Sequence, residues 1–235
     1  MVPVRDDNPT YTVPWVTYAL ILANSAVFFY ELSLGRQLDD FFRHYSVIPA
    51  QIAPALGAVL AGQLTELPRL TPLVTAMFLH AGFLHVAGNM LYLWIFGDNV
   101  EDRMGHLGFL VFYLLCGIGA SLIQLFFNAA SQLPNLGASG AIAGVLGAYV
   151  IQFPRAQVRA VFPLGFFFIP FNISAFWFLG WWFVQQSLYG VAGLGTRTAV
   201  GVEQGGVAYW AHAGGFALGA VLVFLFVRNP RQRYF

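Results

Sequence analysis

Ser139 and His212 are the two side chains whose types suit nucleophilic chemistry. Each lies in an apolar run among small neighbours, as Gly137-Ala138-Ser139-Gly140 and Ala211-His212-Ala213-Gly214-Gly215. A serine hydroxyl attacks a carbonyl poorly until a base takes its proton, and imidazole, titrating near neutral pH, is the natural base. A third polar cluster, His80, His85 and Asn89, opens another apolar run. His85 and Asn89 are four apart, so on a helix they project from one face and can donate hydrogen bonds to one point. The lone Cys116 cannot form an intrachain disulfide and reads as a packing residue.

The elements that must position these groups follow from composition. The 235 residues are 58% hydrophobic and 9% charged, which excludes a water-soluble globule and predicts an all-α membrane protein. Eleven basic residues, all Arg, balance ten acids, so no basic patch exists to track phosphates and nucleic acid is not an expected partner. A bilayer core of about 30 Å takes roughly 20 apolar residues per helix. On that yardstick the charge-free stretches divide into six spans near 15–32, 83–99, 107–127, 139–153, 174–191 and 206–227. Residues 1–13 read as a short cytoplasmic tail, 14–228 as the six-span domain and 229–235 as a second cytoplasmic tail. Asp6, Asp7 and several prolines near the start argue against a signal peptide, so the first span is expected to be retained. The long first loop, about 33–82, carries Pro49, Pro54, Pro68 and Pro72 among short apolar pieces and is expected to lie partly in the membrane interface. Trp177, Trp181 and Trp182 of the fifth span read as lipid-facing anchors.

Arginine placement sets the orientation. With six spans and the N-terminus inside, Arg5, Arg103, Arg155, Arg159, Arg228, Arg231 and Arg233 fall inside, against Arg36, Arg43, Arg69 and Arg197 outside. The excess predicts both termini cytoplasmic, and the plasma (inner) membrane is the expected location. Spans two, four and six then enter from the outer face, which puts all three polar clusters in the outer half of the bilayer. From Ser139 to Phe153 the fourth span covers only about 22 Å, so its N-terminus begins inside the membrane. The free N–H groups of that first turn need acceptors or a water-filled cavity open to the outside. A serine there meets donors suited to a developing oxyanion. Gly140, Ala143 and Gly147 form a small-residue stripe on span four, and Ala208, Gly215 and Gly219 share the face of His212; such stripes let membrane helices approach closely.

The residues His85-Val86-Ala87-Gly88-Asn89, Gly137-Ala138-Ser139-Gly140 and Ala211-His212-Ala213-Gly214-Gly215, in this order and on even-numbered spans, resemble those of the rhomboid intramembrane serine proteases of the six-span type. The resemblance covers about His80 to Gly219. It implies a six-helix rhomboid bundle, Ser139 as nucleophile, His212 as general base, and an oxyanion hole from His85, Asn89 and the Ser139 backbone N–H. It also implies substrates that are themselves transmembrane helices, cut near their outer end, with no cofactor and no metal. Two positions depart from the family pattern. Thr71-Pro72 stands where many members carry a Trp-Arg pair, and Ala143 stands where some carry an aromatic residue beneath the imidazole, so another group must orient His212.

Two classes of function remain open: a peptide-bond hydrolase working in membrane lipid, and a catalytically silent rhomboid-like protein that binds transmembrane clients as a chaperone or dislocation factor. Retention of both Ser139 and His212 favours the hydrolase. His80 reads as a group that hydrogen-bonds loop backbone. A zinc site from His80, His85 and His212 lacks a nearby acidic base.

Overall fold

A computed structural model of the protein describes residues 1–165, 167–195 and 208–227. The expected tail at 229–235 lies outside these residues, as do Arg197, Arg228, Arg231 and Arg233 of the charge count and the start of the sixth span at Gly206. Helices stand at all six expected places: α1 (Trp15–Ser33), α5 (Phe83–Met104), α6 (His106–Asn128), α7 (Ser139–Gln152), α8 (Ala175–Gly195) and α9 (Tyr209–Phe226). The first loop folds into α2 (Leu38–Tyr45), α3 (Pro49–Leu60) and α4 (Pro72–Thr75), with 3-10 turns at Leu64–Leu70 and Ala76–Phe78. Among the described residues α1, α6 and α9 are each long and apolar enough to cross a membrane. A fourth such span results if Leu64–Phe78 and α5, bent by 82°, count as one.

At the centre stands α7, buried from Gly140 to Tyr149. A helix apolar on every side has no solvent face and must be enclosed. It packs against α5, α6, α8 and above all α9. Phe96, Phe109, Phe112, Tyr113 and Tyr149, all fully buried, fill the core around it. The small-residue stripe brings α7 and α9 together backbone to backbone. A Cβ built on Gly219 would lie 2.0 Å from the Gly144 carbonyl oxygen, and one on Gly147 2.0 Å from that of Phe216. Gly144, not Ala143, is therefore the middle member of the α7 stripe at the α9 contact.

The 1–13 tail is not free. Val2–Asp6 forms β1, which pairs antiparallel with β2 (Gln157–Leu164), itself paired antiparallel with β3 (Phe167–Ser174). This three-stranded sheet is an addition to the expected all-helical fold. Beyond β1, the hydroxyls of Thr10 and Thr12 donate to Asp98 and Asp102 at 2.7 and 2.6 Å, and Asn99 donates to the Asn8 carbonyl, so the segment is pinned along the end of α5. The same end of α5 supplies the cap of α1. Glu101, wholly buried, accepts the Val16 and Thr17 backbone N–H groups at 3.0 and 2.7 Å and the Thr17 hydroxyl at 2.7 Å. A carboxylate there satisfies N–H groups that have no intrahelical acceptor and meets the positive end of the helix dipole.

Candidate active site

α7 begins at Ser139, after Gly137 adopts φ +121°, a backbone region that side chains disfavour. The Gly137 N–H donates to the Ala76 carbonyl at 2.8 Å, which holds the turn before α7 against the first loop. The Ser139 side chain therefore stands in the first turn of a short helix whose leading N–H groups lack partners within it. On α9, His212 also stands in the first turn. That turn is held by Gln124 of α6, whose side-chain oxygen accepts the Ala211 N–H at 3.1 Å.

These two helix starts meet. His212 Nε2 lies 2.7 Å from Ser139 Oγ, a hydrogen-bond distance. Its other ring nitrogen, Nδ1, lies 2.8 Å from Oε1 of Gln186 on α8, a residue buried to 9% exposure. An amide oxygen only accepts, so Nδ1 carries the proton and Nε2 presents its lone pair to the serine hydroxyl. Trp182, one turn before Gln186, sets its ring 5.8 Å from the imidazole at 31°. Gln186 and Trp182 thus fill the place that Ala143 leaves unserved. Trp177 and Trp181 are exposed as expected, at 67% and 54%, whereas Trp182 is turned inward onto His212 and Phe216.

The α5 pair lies beside the serine turn. A Cβ built on Gly137 would meet His85 Nε2 at 2.7 Å and Asn89 Nδ2 at 3.7 Å, so both side chains border the residue two before Ser139 and leave room there only for a hydrogen. Asn89 is buried, and its amide nitrogen has no hydrogen-bond partner among the described residues. A buried donor left open is costly unless something occupies it at work. His80 stacks edge-on against His85, ring centres 5.1 Å apart, and its backbone N–H donates to Glu31 at 3.2 Å. The main chain of His80 thus meets a carboxylate of α1, while its ring nitrogens have no hydrogen-bond partner among the described residues, unlike the expected bond to loop backbone. Beside Ser139 a cavity of about 40 Å³, large enough for a water, is walled mainly by apolar residues, with Ser121, Gln124 and Asn135 as its other polar members. Among the described residues no three His, Cys, Asp or Glu side chains gather as the ligands of a metal would.

Of the packing residues, Gly215 approaches the Gly140 carbonyl oxygen, where a Cβ would come to 2.3 Å, and Gly219 and Gly147 hold the turns below. Gln186 and Gln124 escape a search for charged or imidazole groups, although any polar side chain in an apolar span is a signal.

The Rhomboid domain family model matches residues 67–229. Among relatives, "RHOMBOID-like protein 1" of Arabidopsis thaliana is 28% identical over 244 residues, covering 94% of this chain and 56% of the relative. "Rhomboid protein 1, mitochondrial" of Saccharomyces cerevisiae is 36% identical over 111 residues, 45% of this chain and 32% of the relative. "Rhomboid protease AarA" of Providencia stuartii is 26% identical over 234 residues, 92% of this chain and 74% of the relative. The chain thus spans about half the length of the first and a third of the second.

Proposed function

The chain belongs to the rhomboid family of membrane-embedded proteins, and on that premise we propose that it is an intramembrane serine endopeptidase acting on transmembrane protein substrates. The observation that carries this reading is the Ser139–His212–Gln186 line, with contacts of 2.7 and 2.8 Å. In the proposed reaction Ser139 Oγ attacks the scissile carbonyl while its proton passes to His212 Nε2. The oxyanion is met by the Ser139 backbone N–H and by Asn89 and His85, which bring donors to charge that exists only on the way to the tetrahedral intermediate. His212 then gives its proton to the leaving amine. Water from the cavity beside Ser139 hydrolyses the acyl-enzyme, with His212 again the base. Gln186 keeps the neutral imidazole in the Nδ1–H tautomer from which each of the two base steps begins, and accepts from Nδ1–H when the ring is charged.

The rest of the proposal is topological: six crossings of the plasma (inner) membrane, both termini cytoplasmic, and the cavity open to the outer face, as the arginine excess favours. In a Cys116→Ala background, Gln132→Cys in the exposed turn before α7 should react with an impermeant thiol reagent from outside intact cells. Arg155→Cys should react only after lysis. The reverse pattern inverts the orientation.

The enzyme reading is tested with purified protein, a panel of single-span substrates and mass mapping of any cut. Cleavage and labelling by a serine-directed fluorophosphonate should both disappear in Ser139→Ala. Binding of substrates without cleavage or labelling in the wild type would instead identify a silent client-binding protein.

A further inference from the structure

The β2–β3 hairpin extends beyond the helices. Its base is closed where the Ala175 N–H at the start of α8 donates to the Ala156 carbonyl at 2.8 Å. Side chains alternate between the two faces of a strand, and the register assigns them pair by pair. On one face lie Val158 with Ile173, Ala160 with Phe171, Phe162 with Ile169, and Leu164 with Phe167. The first two of these pairs belong to the core that surrounds α7, with Val158 and Ala160 wholly buried. The last two continue the same apolar face past the edge of the bundle, where Phe162, Ile169, Leu164 and Phe167 are 46%, 48%, 58% and 75% exposed.

The other face carries polar groups only near its base, and beyond them Val161 with Pro170 and Pro163 with Phe168 are apolar too, Phe168 being 68% exposed. Arg159 stands opposite Arg5 on one side and Asn172 on the other, all three exposed. Like charges directly opposite each other repel, so this row belongs in water or among anionic headgroups. No charged residue occurs from Ala160 to Ser174, so the projecting half of the hairpin has no polar rim of its own. At its base the chain passes into α8, whose first aromatic residues Phe176 and Trp177 are 53% and 67% exposed, and aromatic side chains so placed mark a membrane surface. The free edge strand β3 contains Pro170, which lacks the N–H that pairing with another strand uses.

We propose that the projecting half of the β2–β3 hairpin is a foot that rests in the bilayer interface on the side away from Ser139, with Phe162, Leu164, Phe167 and Ile169 against lipid and the Arg5–Arg159–Asn172 row turned to water. Amphipathic elements of this kind lie with their apolar face about 5–10 Å into the boundary between headgroups and acyl chains. The foot fixes the level of the end of α7 that it adjoins, and the 14 residues of α7 raise Ser139 about 21 Å from it. The inference rests on membrane embedding and is independent of whether Ser139 is a nucleophile.

The test uses the full chain in vesicles of phosphatidylcholine and phosphatidylglycerol, in the Cys116→Ala background. An environment-sensitive fluorophore is placed by Phe167→Cys, by Leu164→Cys on the same face, and by Arg159→Cys on the other. At 167 and 164 the emission should shift to the blue, be quenched by a spin label carried near the lipid headgroup, and resist aqueous iodide. At 159 iodide should quench freely. Iodide quenching at 167 and 164 equal to that at 159 overturns the proposal. So does a blue shift that ignores the lipid quencher and vanishes on dilution of protein in lipid, which would mean that a second copy covers the face. Two same-face positions keep the outcome readable if one variant fails to fold.

Discussion

Gly215→Ala adds one methyl group and touches neither Ser139 nor His212, yet on the proposed function it should cripple cleavage. The new Cβ would stand 2.3 Å from the Gly140 carbonyl oxygen, with Ala120 Cβ behind it at 3.3 Å. An ordinary carbon–oxygen approach is about 3.3 Å, so α9 must retreat from α7 by about 1 Å. His212 is one turn before Gly215 on α9, and Ser139 is the immediate neighbour of Gly140 on α7. The retreat therefore reaches the pair almost undiminished. It carries the Oγ to Nε2 separation from 2.7 Å beyond hydrogen-bond range. A misplacement of that size costs about a hundredfold in turnover, or roughly 2.7 kcal/mol in the barrier. Gly215→Val should lose more. The assay is cleavage of a single-span substrate in proteoliposomes, with thermal unfolding followed in parallel so that loss of fold is not read as loss of rate. Phe224→Leu, at a 70% exposed position of α9, is the control and should turn over as the wild type does. If Gly215→Ala is folded and cleaves at close to the wild-type rate, the backbone contact does not set the Ser139–His212 distance and the reasoning fails.

Three further outcomes follow from other parts of the structure. Gln186→Leu leaves the His212 Nδ1 proton without an acceptor, a defect of roughly 1–3 kcal/mol; turnover should fall with KM little changed, and a rise in KM alone would make Gln186 a substrate contact. Asn89→Ala and His85→Ala should each slow turnover by about 2.7 to 4 kcal/mol of barrier while binding holds, as measured by separate kcat and KM values; unchanged turnover would remove them from the oxyanion hole. Asp6 titrates at about 6, raised above the ordinary carboxylate value chiefly by burial and also by Asp98, despite its hydrogen bond with Tyr149. A raised value in the fold means that the sheet contributes stability fully below about pH 4 and loses it as pH rises through about 6. Protection of the β1 amides against hydrogen exchange, taken relative to the intrinsic rate at each pH, should therefore be greater at about pH 5 than at about pH 7.5, with the difference gone in Asp6→Asn; greater protection at the higher pH would contradict it.

The helices could be read from the sequence because length and hydropathy act on the whole segment. Ser139 starts α7 as expected, and α7 ends at Gln152, one residue before the expected limit. Ser139 and His212 were legible for the same reason, since isolated polar groups stand out in apolar runs. The sheet was hidden. Phe167 and Phe168 are both apolar although they point to opposite faces, which erases the period of two that marks a strand, and β1 contains a proline and a register shift between Pro3 and Arg5. Register on a helix also needs coordinates: Ala143 and Gly144 are adjacent small residues, and only the observed crossing with α9 selects Gly144. Gln186 was missed because it is neutral and sits among aromatic residues, where composition looks like a lipid face.

That neutrality bears on how the chain is made. A segment entering the bilayer from the insertion machinery does so before its later neighbours exist, and α8 is synthesised ahead of α9. A carboxylate at the centre of a helix adds about 2.5 to 3.5 kcal/mol to that transfer. From Ala175 to Gly195 the segment has no Asp, Glu, Arg or Lys, so α8 carries no such cost while its future partner is still unmade. On the proposed reading the nascent protein thus holds a serine and an amide with no imidazole between them, and it lacks the means to cleave neighbouring helices until α9 is threaded into place.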